Sequence, residues 1–196
     1  MNNKGLFGSY SLSDWWINSF TEEERNRFKE LFKPMGMSYD DLTKGSMGLS
    51  KTIVWFLTML AGFTRNKSDV SIALKFLHKA EEFIDRATTI DKHFLYQELI
   101  QSHYKLRENI NHLEHAKAYC YKQIAIATDV AKQFLKEYGA PLPAHAGFYQ
   151  LSIILDKEKE FEEAIKICKE AKRQNWSGDW EKRVTNLENK LRKSTS

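Results

Sequence analysis

The sequence predicts an all-α fold, and three observations carry that prediction. Only three prolines and nine glycines interrupt 196 residues, so long helices are easier to write than many short strands. From Ser50 onward, apolar residues recur at helical spacing almost to the end. One pattern of small and large residues also returns along that stretch. Hydrophobic residues make up 42% of the chain, enough to bury a real core. A net charge of +4 is a mild excess that does not by itself argue for nucleic acid. The opening MNNKGLFGSYSLSDWW lacks the continuous apolar run of a secretion signal. The most apolar stretch, from Ile53 to Phe63, is shorter than the about 20 residues that a bilayer requires. Cys120 and Cys168 form no CxxC pair, so neither a zinc knuckle nor a thioredoxin-type site is written. These features predict a reduced, cytoplasmic protein, off the membrane and without a cofactor.

The elements follow in order. Ser13 is expected to cap a short helix carrying Trp15 and Trp16, adjacent residues that one helix cannot bury on the same face. One indole is then expected on the repeats, the other on the following loop or a partner. Thr21 with Glu24 forms a capping box that opens a helix to about Phe32, and Pro34 stops it. The stretch PMGMSYDDLTKGSMG, 34–48, reads as a loop long for a compact domain. Residues 1–50 thus form an N-terminal helical and loop cap, with 51–196 the helical remainder. There, Ser50 and Ser68 are expected to cap helices over 51–65 and 69–88. A helix over 91–109 follows, then a continuous one from the Asn111/Glu114 capping box to about Tyr138. Gly139, Pro141 and Pro143 break the chain before helices over 144–157 and 160–174. Ser177 starts the last helix, where Trp180, Val184, Leu187 and Leu191 make one apolar stripe.

The recurring pattern is clearest in FYQLSIILDKEKEFEEAIKICKEA. Phe148, Leu151, Ser152 and Leu155 are followed by Ala164, Cys168 and Ala171. Upstream, Leu57, Leu60, Ala61 and Thr64 precede Ala73, Leu77 and Ala80, with the same step from Ala61 to Ala73 as from Ser152 to Ala164. Between them, Tyr96, Leu99, Ile100 and His103 precede Ala116, Cys120 and Gln123, at a step about one helical turn longer. A small residue where helices cross lets the backbones approach, and larger neighbours fill the gaps beside it. This pattern resembles the tetratricopeptide repeat, although the copies lie further apart than its usual ~34 residues and lack its closing proline. The resemblance implies a right-handed α-solenoid of about three helix pairs, with an N-terminal helical cap and a C-terminal cap helix. The whole chain also looks like small bacterial proteins of tetratricopeptide type without an assigned activity. Cys120 and Cys168 fall in one slot of two copies, which makes them small core residues.

In that family, a peptide is held by first-helix residues on the concave face. Carried over, these are Arg65; Gln97, Gln101, Tyr104 and Lys105; and Tyr149, Gln150 and Lys157. Gln97, Gln101 and Tyr104 share one helix face, and their groups suit a peptide backbone. The family's lysine-and-asparagine clamp for a terminal carboxylate is not matched. The expected function is a non-enzymatic adaptor or regulatory sensor holding a protein segment or partner helix. The alternative is a small-ligand-binding or hydrolytic protein, with His93, His103 and His145 lining a His/Tyr pocket beside the 33–49 loop. A homodimer through the cap regions is a third reading. His112 and His115 have a chelating i, i+3 spacing but no evident third ligand, so no metal is expected. Lys182, Arg183, Lys190, Arg192 and Lys193 form a basic surface read as a solvated face, and nucleic acid is a minor reading.

Overall fold

The computed structural model describes residues 5–45 and 50–194, and twelve α-helices and one short strand pair are present among them. The chain divides into two compact units, residues 1–91 and 92–196.

The first unit holds α1 (Gly5–Ser9), α2 (Ser13–Ser19), α3 (Glu22–Leu31), α4 (Tyr39–Thr43), α5 (Ile53–Ala61) and α6 (Val70–Glu81). The capping box of α3 forms as written. The Glu24 amide donates to Thr21 Oγ1 (3.2 Å) and the Thr21 amide donates to Glu24 Oε2 (2.8 Å). Other starts differ from expectation. Leu12, without a capping side chain, precedes α2, so Ser13 is not its cap. The expected 34–48 loop contains α4, opened by a Ser38/Asp41 capping box that the sequence spells but that charged neighbours obscure. Residues 46–49 of that stretch lie outside the described residues. Thr52, not Ser50, caps α5, accepting from the Trp55 amide (3.0 Å) while its hydroxyl donates to Asp91 (2.9 Å). Ser68 lies in a 3₁₀ turn, Lys67–Asp69, that precedes α6, and α6 ends at Glu81, short of 88. Asp69 supplies no cap because Arg27 of α3 grips its carboxylate in a two-pronged bond of 2.8 and 3.1 Å.

Phe76 on α6 organises this unit. It is fully buried, with the rings of Phe20 and Phe28 at 5.0 Å, Trp16 at 5.8 Å and Trp15 at 5.9 Å. Trp16 is buried and Trp15 half-buried, as adjacent helical positions require. Both nevertheless reach α6, and Trp16 also hydrogen bonds Tyr39 of α4. Lys75, one residue before Phe76, ties α6 to the N-terminal helices through Glu24 (2.6 Å) and the Ser19 carbonyl (2.9 Å).

The second unit comprises most of α7 (Thr89–Lys105), then α8 (Ile110–Ala125), α9 (Ala127–Tyr138), β1 (Leu142–Ala144), α10 (Ala146–Lys157), α11 (Phe161–Arg173), β2 (Trp176–Ser177) and α12 (Trp180–Ser194). Asn109, not Asn111, caps α8, its side chain accepting from the Asn111 amide (2.9 Å). The helix expected to run unbroken to Tyr138 is two helices, parted at Ile126, where ψ is 0°. No glycine or proline stands there to signal the break. β1 and β2 pair in parallel, Leu142 beside Trp176; segments this short carry no readable alternation. α10 packs on both α8 and α11, and α11 packs on α12.

Within their respective units, all the small and large residues of the three sequence copies are buried except Tyr96, which is half-buried. Cys120 and Cys168 are fully buried free thiols, and burial pushes Cys120 up to about 12 and raises Cys168. In α12, Trp180 and Leu187 are buried while Val184 and Leu191 are half-buried.

Truncating the hub of the first unit tests this packing. Phe76→Ala is expected to cost about 3–5 kcal/mol of unfolding free energy, read from urea denaturation. A loss below about 1 kcal/mol would contradict a central role for Phe76.

Candidate functional site

The polar residues expected to face a partner fall mainly on α7 and α10. Gln97, Gln101, Tyr104 and Lys105 are half-buried on α7. On α10, Gln150 is half-buried, while Lys157 and Tyr149 are exposed, Tyr149 at 45%. Arg65 is exposed just beyond α5, in the first unit. Specific side-chain contacts reach from α10 to α7 and to α12. Lys157 Nζ donates to the Tyr104 hydroxyl (3.0 Å), joining α7 to α10. Lys190 of α12 bonds both carboxylate oxygens of Asp156 on α10, each at 2.7 Å. The Arg183 guanidinium of α12 lies 4.2 Å from the centre of the Tyr149 ring. Gln150 Nε2 is buried without a hydrogen-bond partner among the described residues.

Sequence reasoning missed the contribution of α12. A cleft of about 400 Å³ opens between α10 and α12, lined by Asp156 and Ile153 on one side and by Arg183, Asn186, Lys190 and Lys193 on the other. Arg183 and Lys190 are seven residues apart, two helical turns, and that spacing was the available signal.

The histidines separate into two groups. His93 and His145 pack together, ring centres 5.1 Å apart, both at most 1% exposed, with Trp176 beside them. His103 does not join them. It lies ten residues further along α7, about 15 Å at the helical rise. Its Nδ1 instead meets His112 Nδ1 at 2.9 Å, with the His115 ring centre at 5.0 Å and Tyr119 stacked beside it. Among the described residues, no three His, Cys, Asp or Glu side chains are arranged to hold a metal ion.

The buried pair surrounds a structural joint. Gln123 of α8 donates from Nε2 to the His93 carbonyl (2.9 Å) and accepts at Oε1 from the Gly147 amide (2.6 Å). His145 Nδ1 caps α10, accepting from the Phe148 amide (3.3 Å), which makes Nε2 the protonated nitrogen. Gln123 stands in the slot that holds Ala80 and Ala171 in the other copies, and it ties α7 through α8 to the start of α10. Position 147 takes glycine because a Cβ there would lie 2.9 Å from Gln123 Oε1 and 3.0 Å from the Cys120 carbonyl.

Burial lowers His93 to about 4; burial, and then the charge of His93, lowers His145 to about 3. Both are neutral at pH 7. In the unfolded chain they take up protons near 6.5, so the unfolded state binds more protons as pH falls, and stability drops below about 6.5.

No family model matches the chain, and no curated protein or solved structure matches it. No helix among the described residues is long and apolar enough to cross a membrane.

Two outcomes follow for the joint. Lowering the pH from 7 to 5 is expected to remove about 2 kcal/mol per buried histidine. His145→Asn, which keeps a capping acceptor without a titrating ring, should abolish about half of that dependence. Urea unfolding at both pH values reads this; equal pH slopes in wild type and variant would contradict it.

Proposed function

We propose that the protein is a non-enzymatic adaptor or regulatory sensor, a right-handed α-solenoid of about three tetratricopeptide-like helix pairs that holds a segment of a partner protein. The observation that carries this reading is the lateral joining of α7, α10 and α12 by Tyr104–Lys157, Asp156–Lys190 and Tyr149–Arg183. Of these, α7 and α10 are helices on which the repeat pattern puts a concave binding face, and α12 is the helix that the pattern makes a cap. Half-exposed tyrosines supply rigid contact area at low entropic cost. Gln97 and Gln101 offer amide donors and acceptors suited to an extended backbone. The proposed setting is the cytoplasm, and the proposed partner is a peptide segment or helix of another protein.

The test is affinity capture from host lysate, comparing wild type with a Gln97→Ala, Tyr104→Ala, Tyr149→Ala variant whose helicity is verified by circular dichroism. A specific protein is expected with wild type and at least tenfold less of it with the variant. Equal recovery of every captured protein would contradict this face as the binding site.

A further inference from the structure

We propose that the cleft between α10 and α12 binds an acidic peptide segment through its aspartate or glutamate side chains. This deepens the partner-binding reading above and rests on it. Three cations, Arg183, Lys190 and Lys193, line the cleft with one carboxylate, Asp156, and a second carboxylate, Asp179, pairs with Arg183. Asp156 occupies Lys190 but does not exhaust it: an ammonium has three protons, and the Asp156 oxygens engage two. Arg183 is held in place by Asp179 through its Nε (2.7 Å) and by the Tyr149 ring, so its charge is fixed at the cleft edge before anything binds. Among the described residues, the side chains of Asn186, Asn189 and Lys193 make no hydrogen bond or ion pair, and all three line the cleft.

Size and chemistry select the occupant. At about 400 Å³ the cleft is at the small end of ligand sites, about 300–1,000 Å³. That volume takes a few side chains of an extended segment. Ile153 and Leu187 give it a limited apolar floor, which does not suit the broad apolar stripe of a partner helix. Stacking of nucleic-acid bases needs bare aromatic faces; none of the cleft-lining side chains is aromatic, and Arg183 lies over one face of the nearby Tyr149 ring. Carboxylates suit the excess of positive over negative side chains in the lining and the amide and ammonium donors that it offers.

Fluorescence anisotropy of the full chain with a fluorescein-labelled peptide of six Glu-Gly units tests the proposal. Binding is expected, weakening as salt rises. Lys190→Gln with Lys193→Gln should weaken it at least tenfold. Lys132→Gln with Lys136→Gln on α9 removes the same charge elsewhere and should change it less than twofold. No binding, or equal weakening in both variants, would overturn the proposal. Stronger binding of a labelled single-stranded oligonucleotide through Lys190 and Lys193 would also overturn it, in favour of nucleic acid. If acidic binding fails while partner capture still depends on Gln97, Tyr104 and Tyr149, the adaptor reading stands and only the acidic cleft falls.

Discussion

Two helix pairs, one in each unit, depend on one steric constraint: where the helices cross, the facing positions are small. Ala61 and Ala73 meet it in the pair α5/α6, and Ser152 and Ala164 meet it in α10/α11; all four are at most 3% exposed. Close approach there brings the flanking leucines and phenylalanines into contact, and dense packing follows from that geometry. Free cysteine satisfies the same demand at positions 120 and 168. Burial keeps both thiols protonated, which removes the nucleophilic thiolate and leaves them as inert packing groups.

The polar interior of the second unit arises where the pattern is broken. In α8 the last small slot carries Gln123, and its amide is used in full view of two backbones, the His93 carbonyl and the Gly147 amide. Bonding at both ends offsets the cost of burying the Gln123 amide. Gly147 then becomes a steric necessity, and His145 becomes a neutral cap. Two of the three histidines that invited a pocket reading, His93 and His145, therefore have a structural role at the start of α10. That start fixes the phase of α10, which turns Tyr149 and Asp156 towards α12 and Lys157 towards Tyr104.

Much of this was legible in the sequence, because small slots leave few residue choices and recur at fixed steps. The Thr21/Glu24 box was legible for a similar reason, being a reciprocal pair at a set spacing. Other features were not. Thr52 and Asn109 cap where Ser50 and Asn111 were expected, since neighbouring hydroxyl and amide residues are equivalent until the tertiary partner is known; for Thr52 that partner is Asp91. The break at Ile126 has no glycine or proline to announce it. The grouping of His103 with His112 and His115 spans two helices, and their separation in sequence does not reveal it. The candidate site was half legible: α7 and α10 supplied the expected residues, but the basic side chains of α12 resemble any solvated face until Asp156 and Tyr149 are seen against them.

The most direct measurement is the unfolding free energy of Ala61→Leu and Ser152→Leu, the same slot in two copies, beside Ala118→Leu on an exposed position of α8. The account predicts that both slot variants lose about 1–3 kcal/mol or more, with the exposed control within about 0.5 kcal/mol of wild type. Slot variants as stable as the control would contradict the claim that equivalent small residues set the helix crossings.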